Sequence, residues 1–280
     1  MNIFIVIVIY RLKYKESSTI KSLCLPDSRH NIKIKILLYD NSGDPQQIKS
    51  KDAAKYIYVH NPLNGGLAEA YNHALSMIDD QDGWLLLLDQ DSDLPSNFLN
   101  DLADTIKEIA DRSIVAVAPH IICKNEPISP CLVKMGGKLK QIQQNYIGTS
   151  GEEIMAINSG LAVRVSFMNH IGGFNQKFWL DYLDHWLCRT IFMEGKKIYV
   201  NSSIVNHSLS VRNYNDISLQ RAQNILNAEV IFYSQYKTKG EKLLYIARLI
   251  IRSAKQYISV KNKNIGSYTF KTAMKLILNR

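Results

Sequence analysis

Residues 84–93, WLLLLDQDSD, decide the fold. The run 84–88 is wholly apolar, as a central strand buried on both faces must be. It closes on three carboxylates in five residues, Asp89, Asp91 and Asp93, which repel one another unless solvent or a cation neutralises them. A diphosphate makes the same demand, met by Mg²⁺ or Mn²⁺ held on one or two carboxylates while phosphate oxygens and water fill the other positions. Asp89, Gln90 and Asp91 are therefore candidates for a nucleotide site, with Asp89 and Asp91 as metal ligands. The plain alternative is a solvated turn in which Ser92 or Asp93 caps the helix following Pro95. DxD alone is common, but its place after an apolar central strand favours the metal.

Working outward, apolar runs at 3–9, 34–39, 56–59 and 114–118 have strand length and composition. Helix-like stretches near 16–23, 45–54, 67–78 and 95–110 lie between them. This alternation predicts an α/β fold with βαβ crossovers, a mainly parallel central sheet flanked by helices, and ligands beyond the carboxyl ends of the strands. Residues 131–163 read as short strands and loops, 181–194 as a helix, and 197–200 and 204–206 as strands. Everything after Asn215 reads as helical. The domain expectation is a catalytic domain over 1–212 and a basic helical C-terminal extension over 213–280.

Four further segments carry residues suited to chemistry. Asp40-Asn41-Ser42-Gly43 ends the second strand, where a carboxylate can accept from a nucleobase imide or a ribose hydroxyl, or simply form an Asx turn. Asn64-Gly65-Gly66 leads into a helix carrying Asn72; paired glycines let backbone approach a ligand, and the opening N–H groups favour phosphate. Asp181 opens the later helix as a prospective N-cap, and Asp184 shares its face one turn on, among Phe178, Trp179, Tyr182 and Trp186. A carboxylate in that setting tends to a raised pKa, which suits a general base. His207 follows the last strand and can complete a metal site or meet phosphate, although a lone histidine is more often an ordinary core or surface residue.

Composition excludes several classes. No apolar run approaches the roughly 20 residues that span a bilayer, and residues 1–10 lack the basic start and cleavage site of a signal peptide. Cys24, Cys123, Cys131 and Cys188 have no metal-ligand spacing and suit reduced thiols of a cytoplasmic protein. The net charge of +9 is concentrated: residues 237–280 hold 11 Lys and Arg against Glu241 alone, leaving 23 of the 34 basic and 24 of the 25 acidic residues for the rest. In that tail Leu243, Ile246, Ala247, Ile250, Ala254 and Ile258 form one helical stripe and Arg248, Arg252 and Lys255 another. A peripheral foot on anionic membrane through 241–280, a packing helix and a homo-oligomer interface all remain open. A tail acting on nucleic acid finds no recognition motif in the head.

In order, Tyr39-Asp40-Asn41-Ser42, Asn64-Gly65-Gly66-Leu67-Ala68 with Asn72, Leu86-Leu87-Leu88-Asp89-Gln90-Asp91-Ser92, Asn158-Ser159-Gly160, and Gly172-Gly173-Phe174 to Asp184 resemble the family-2 glycosyltransferases of the GT-A fold, over about residues 3–210. Leu-Leu-Asp-Gln-Asp-Ser looks like the bacterial rhamnosyltransferase group. The resemblance implies an inverting transfer from a nucleotide sugar, dTDP-L-rhamnose first and UDP-galactofuranose or UDP-hexose as alternatives. The acceptor would be a glycan or lipid-linked saccharide of O-antigen or capsule biosynthesis. It implies Asp40, Asn41, Asn64, Gly65, Gly66, Asn72, Asp89, Gln90 and Asp91 on the donor, and Asp89, Asp91 and His207 on Mg²⁺ or Mn²⁺. Asp184 would be the catalytic base, with Ser159, Gly160, Trp179 and Asp181 on the acceptor. Arg11, His185-Trp186 and Ser210 depart from the usual pattern. A rival of another class is a non-catalytic nucleotide-binding partner, against which an intact Asp89, Asp91 and Asp184 speaks.

Overall fold

A computed structural model describes residues 1–26, 32–207 and 214–278. Ser210 and the expected boundary after residue 212 lie outside the described residues. Two compact units emerge, residues 1–133 with 139–208, and residues 134–138 with 209–280.

In the first unit the chain runs β1 (Asn2–Ile9), α1 (Ser18–Ser22), β2 (Lys33–Asp40), α2 (Ser50–Ala53), β3 (Ile57–His60), α3 (Gly66–Ser76), β4 (Trp84–Asp89), β5 (Ser92–Asp93) and α4 (Phe98–Glu108). It continues through β6 (Ile114–Cys123), β7 (Glu126–Ser129), β8 (Cys131–Lys134), β9 (Lys138–Gln141), β10 (Ile154–Met155), β11 (Ala162–Arg164), α5 (Val165–His170), α6 (Leu183–Met193) and β12 (Lys197–His207). The main sheet has the order β3-β2-β1-β4-β11-β6-β12-β5, with β7 beside β6. β8, β9 and β10 make a small second sheet.

The mainly parallel expectation is met only roughly. β3, β2, β1 and β4 are parallel neighbours, as are β6 and β12, but β11 runs antiparallel between β4 and β6. A three-residue strand carries too little periodicity to announce itself. Likewise the helix expected over 45–54 shrinks to α2, and the strands expected at 197–200 and 204–206 are one strand with a register break between Val200 and Ile204.

The sheet is buried because its strands are apolar on both faces: every residue of β1 after Asn2 is buried, as are Trp84 to Leu88. Ile3, Ile5, Ile7 and Ile9 alternate onto one face, where they share a core with Leu86 and Leu88 and with Phe98, Leu99, Leu102 and Ile106 of α4. Those α4 positions recur at helical spacing, so one stripe seats the helix. The carboxyl ends of β1, β2 and β4 consequently stop side by side, with Val8 paired to Asp89 and Ile9 to Asp40.

The second unit contains α7 (Leu219–Gln235), α8 (Lys239–Ser259) and α9 (Lys263–Leu278). Ser218 caps α7, and Thr238 with Glu241 forms a capping box on α8. The Tyr233 and Tyr245 rings stack at 4.0 Å, and Arg252 meets Glu229 at 2.7 Å, joining α7 to α8. Gly266 lets α9 approach α8, since a Cβ there would lie 3.0 Å from the Tyr257 nitrogen.

Candidate active site

The loop after β4 is held from beneath. Thr19, fully buried in α1, sets its hydroxyl 2.5 Å from the Asp89 carbonyl oxygen and 3.0 Å from that of Ser92, and accepts from the Ser92 N–H at 2.9 Å. Ser17 Oγ donates to the Gln90 carbonyl at 2.7 Å, and Gln90 Oε1 accepts from the Tyr10 N–H at 2.8 Å. The Gln90 side chain is thus tied to the end of β1. Ser159, at the entry to β11, donates to Asp89 Oδ2 at 2.6 Å. Gly160 beside it follows from packing: its φ is +92° and a Cβ would lie 2.9 Å from Pro119 Cγ.

β5 then pairs with the end of β12, His207 opposite Ser92. This brings His207 Nδ1 to 3.6 Å from Asp91 Oδ1 and 3.2 Å from Ser92 Oγ. Asp89, Asp91 and His207 each present a ligand atom, all within 4.8 Å of one another. Burial pushes the Asp91 carboxyl up, His207 opposes the rise and Asp89 adds to it. Two hard carboxylates and an imidazole around a position where negative charge is costly fit a divalent cation.

Asp40 is fully buried and largely paired. Its Oδ1 accepts from the Ser42 N–H at 2.9 Å, closing an Asx turn, and its Oδ2 accepts from Gln46 Nε2 at 2.8 Å and the Tyr58 hydroxyl at 2.9 Å. Tyr58 is pushed up to about 12, by burial first, with Asp40 adding to the rise. Asn41 donates to the Gly66 carbonyl at 3.1 Å, while its buried Oδ1 has no partner among the described residues. The Oδ1 of Asn158 is likewise buried without one among those residues.

The glycine loop answers to packing as well. Asn64, at φ +51°, accepts from Trp179 Nε1 at 3.0 Å, and a Cβ on Gly66 would lie 2.2 Å from the Trp179 carbonyl oxygen. A Cβ on Gly65 would meet Glu69. Of the N–H groups that open the helix, that of Leu67 donates to the Trp179 carbonyl at 2.9 Å. Asn72 is engaged within the fold. Its Nδ2 donates to the Phe174 carbonyl at 2.8 Å and its Oδ1 accepts from the Phe174 N–H at 2.7 Å, so it clamps the later loop with both ends of its amide.

Asp184 lies in the first turn of α6, half-buried, its Oδ1 accepting from the His185 N–H at 2.8 Å. Asp181 is not the cap: Tyr182 holds that position at φ +65°, with its ring stacked on His185 at 4.6 Å. The left-handed turn puts Asp181 outside the helix, so it does not share a helical face with Asp184. Trp179 is 40% exposed.

Tyr71, Thr19 and Ser17 escaped sequence reasoning. Tyr71 is fully buried in α3 against Phe174. Its phenol is pushed well above the usual value, by burial first and then by the negative charge of the Asp89 and Asp184 carboxylates. Nothing marks such a residue in a helical pattern.

The fold is that of GT-A glycosyltransferases. The family model for glycosyl transferase family 2 matches residues 18–169, more than half of the chain, and the chain belongs to that family. Among solved structures it resembles GalNAc-T7 with UDP, GalNAc and Mn²⁺ (TM-score 0.61, 17% identity, 99% of this chain and 56% of that one). It also resembles residues 1–349 of S. aureus TarS (0.55, 15%, 99% and 89%). A third likeness is the mannosyltransferase PcManGT of Pyrobaculum calidifontis with GDP-Man and Mn²⁺ (0.53, 14%, 99% and 74%). At these identities the likeness is one of fold, and the chain spans little more than half of GalNAc-T7. No curated protein matches it in sequence.

If Thr19 sets the cation site through the Asp89–Ser92 backbone, Thr19→Val keeps the side chain's shape and removes the hydrogen bonds. Calorimetric titration should then show divalent-cation affinity falling about tenfold, with the protein still folded. Unchanged affinity would rule out this role.

Proposed function

We propose that the chain is an inverting, cation-dependent glycosyltransferase that moves a sugar from a nucleoside diphosphate to an acceptor hydroxyl. The observation that carries this is the cluster of Asp89, Asp91 and His207 at the end of β4. Those residues would hold Mg²⁺ or Mn²⁺, and the imidazole tilts the choice toward Mn²⁺. When bound, the cation offsets negative charge on the departing diphosphate. Asp184 takes the acceptor hydroxyl proton; the oxygen attacks the anomeric carbon, and the bond to the diphosphate breaks on the opposite face with its electron pair. Asp40 serves the nucleoside pocket by fixing Gln46 and Tyr58, and the unpartnered Asn41 oxygen favours a polar ligand beside it. Ser159 positions Asp89, leaving Trp179 and Asp181 on the acceptor side.

For the donor we favour dTDP-L-rhamnose, on the Leu-Leu-Asp-Gln-Asp-Ser wording alone, and for the acceptor a glycan or lipid-linked saccharide of a bacterial surface polysaccharide, assembled at the inner face of the membrane. Nucleotide sugars titrated with and without Mn²⁺ test this. Cation-dependent binding strongest for dTDP-rhamnose is expected; preference for UDP-galactofuranose or a UDP-hexose would move the donor, and no cation-dependent binding would overturn the transferase reading.

A further inference from the structure

The three-helix unit turns its surface against the usual rule for soluble helices. The inward arc of α8 consists of Tyr245, Ile246, Leu249, Ser253 and Gln256, two of them polar and all buried. Of the apolar stripe Leu243 to Ile258 read from the sequence, only Ile246 is buried; Leu243, Ala247, Ile250, Ala254 and Ile258 are exposed, and Leu244 and Ile251 extend them. At helical spacing these seven fall in one sector of about 120°. Ile251 is 57% and Ile258 82% exposed. Arg248 and Lys255 border the sector, both exposed. On α9, Phe270, Met274 and Leu278 repeat the design at four-residue spacing, with Lys263, Lys271 and Lys275 exposed beside them.

Exposed apolar area of this kind marks a contact surface. Its charge selects the partner. Residues 237–280 carry 11 basic residues and one acidic, so a second copy would set like charge against like charge. Nucleic acid would neutralise the lysines but leave the isoleucines and leucines in water. An anionic lipid surface satisfies both, taking apolar side chains among the acyl chains and cations among the headgroups. No helix among the described residues is long and apolar enough to cross a membrane, which agrees with one lying in the interface plane.

The geometry points to α8 and α9 as a docking face for an anionic membrane surface. It deepens the reading of a lipid-linked acceptor, on which it rests for its purpose. The test uses the full chain in co-sedimentation with phosphatidylcholine vesicles, with and without about 30% phosphatidylglycerol. Binding is expected only to the anionic vesicles, with release as salt rises from about 0.1 M to about 0.5 M. Ile251→Ser with Ile258→Ser should weaken it about tenfold, and Lys271→Gln with Lys275→Gln about fivefold per lysine, with circular dichroism unchanged. Equal binding to neutral vesicles, no binding, full retention by the serine variant, or a dimer that this variant dissociates would each overturn it. Transfer to a soluble acceptor, followed in the same variants, should be unaffected; its absence in every form would count against the transferase reading and leave the docking result standing.

Discussion

Asp184→Asn is expected to bind nucleotide sugar and cation normally and to lose turnover about 10²-fold or more. The change is nearly isosteric, and the carbonyl oxygen of the new amide can still accept from the His185 N–H, as Oδ1 does at 2.8 Å. The first turn of α6 should therefore keep its form. What is lost is the capacity to take a proton. Since the acceptor oxygen becomes a strong nucleophile only as its proton leaves, the effect should fall on kcat with the donor dissociation constant unmoved. Near-normal kcat would remove Asp184 from the role of base.

The second large effect is expected at Asp91. Burial and Asp89 hold its carboxyl above the ordinary range, so an ionised Asp91 works against folding when no cation is present. The folded form binds the proton more tightly than the unfolded chain, and this stability is gained as pH falls through the raised value and lost as pH rises through it. Asp91→Asn removes that cost and should fold at least as well as the parent. Its Mn²⁺ affinity should fall at least about 100-fold, a direct ligand costing more than the usual outer-shell loss. In the parent, Mn²⁺ affinity should weaken on acidification, because proton and cation compete for one carboxylate. Isothermal titration at a series of falling pH values reads both effects. Tight, pH-independent Mn²⁺ binding by Asp91→Asn would place the cation elsewhere.

What the sequence shows plainly follows from burial. β1, β2 and β4 are apolar enough to be strands under any reading, and the sheet's carboxyl edge places Asp40 and Asp89 as neighbours of β1. The meeting of His207 with Asp91 depends on a two-residue strand, β5, whose pairing leaves no periodic trace. Asn72 illustrates a different limit. Its type and position suit a ligand contact, yet both hydrogen-bonding ends go to the backbone of Phe174, 102 residues away. A side-chain amide suits both uses, and a partner so distant in sequence leaves no local trace. Tyr71 and Thr19 look like ordinary helix residues until the carboxylates and carbonyls beside them are seen.

The reversed strand β11 has a consequence for assembly. Through Ala162 and Val163 it pairs with β4 on one side and β6 on the other. Until residues 162–164 are in place, β4 and β6 have no common neighbour, and the leucine-rich β4 is a bare edge with its ladder open to any passing strand. A chain emerging from the ribosome therefore carries an adhesive edge while residues 90–161 are made, closed by three residues. Truncations before that point would be expected to associate through β4.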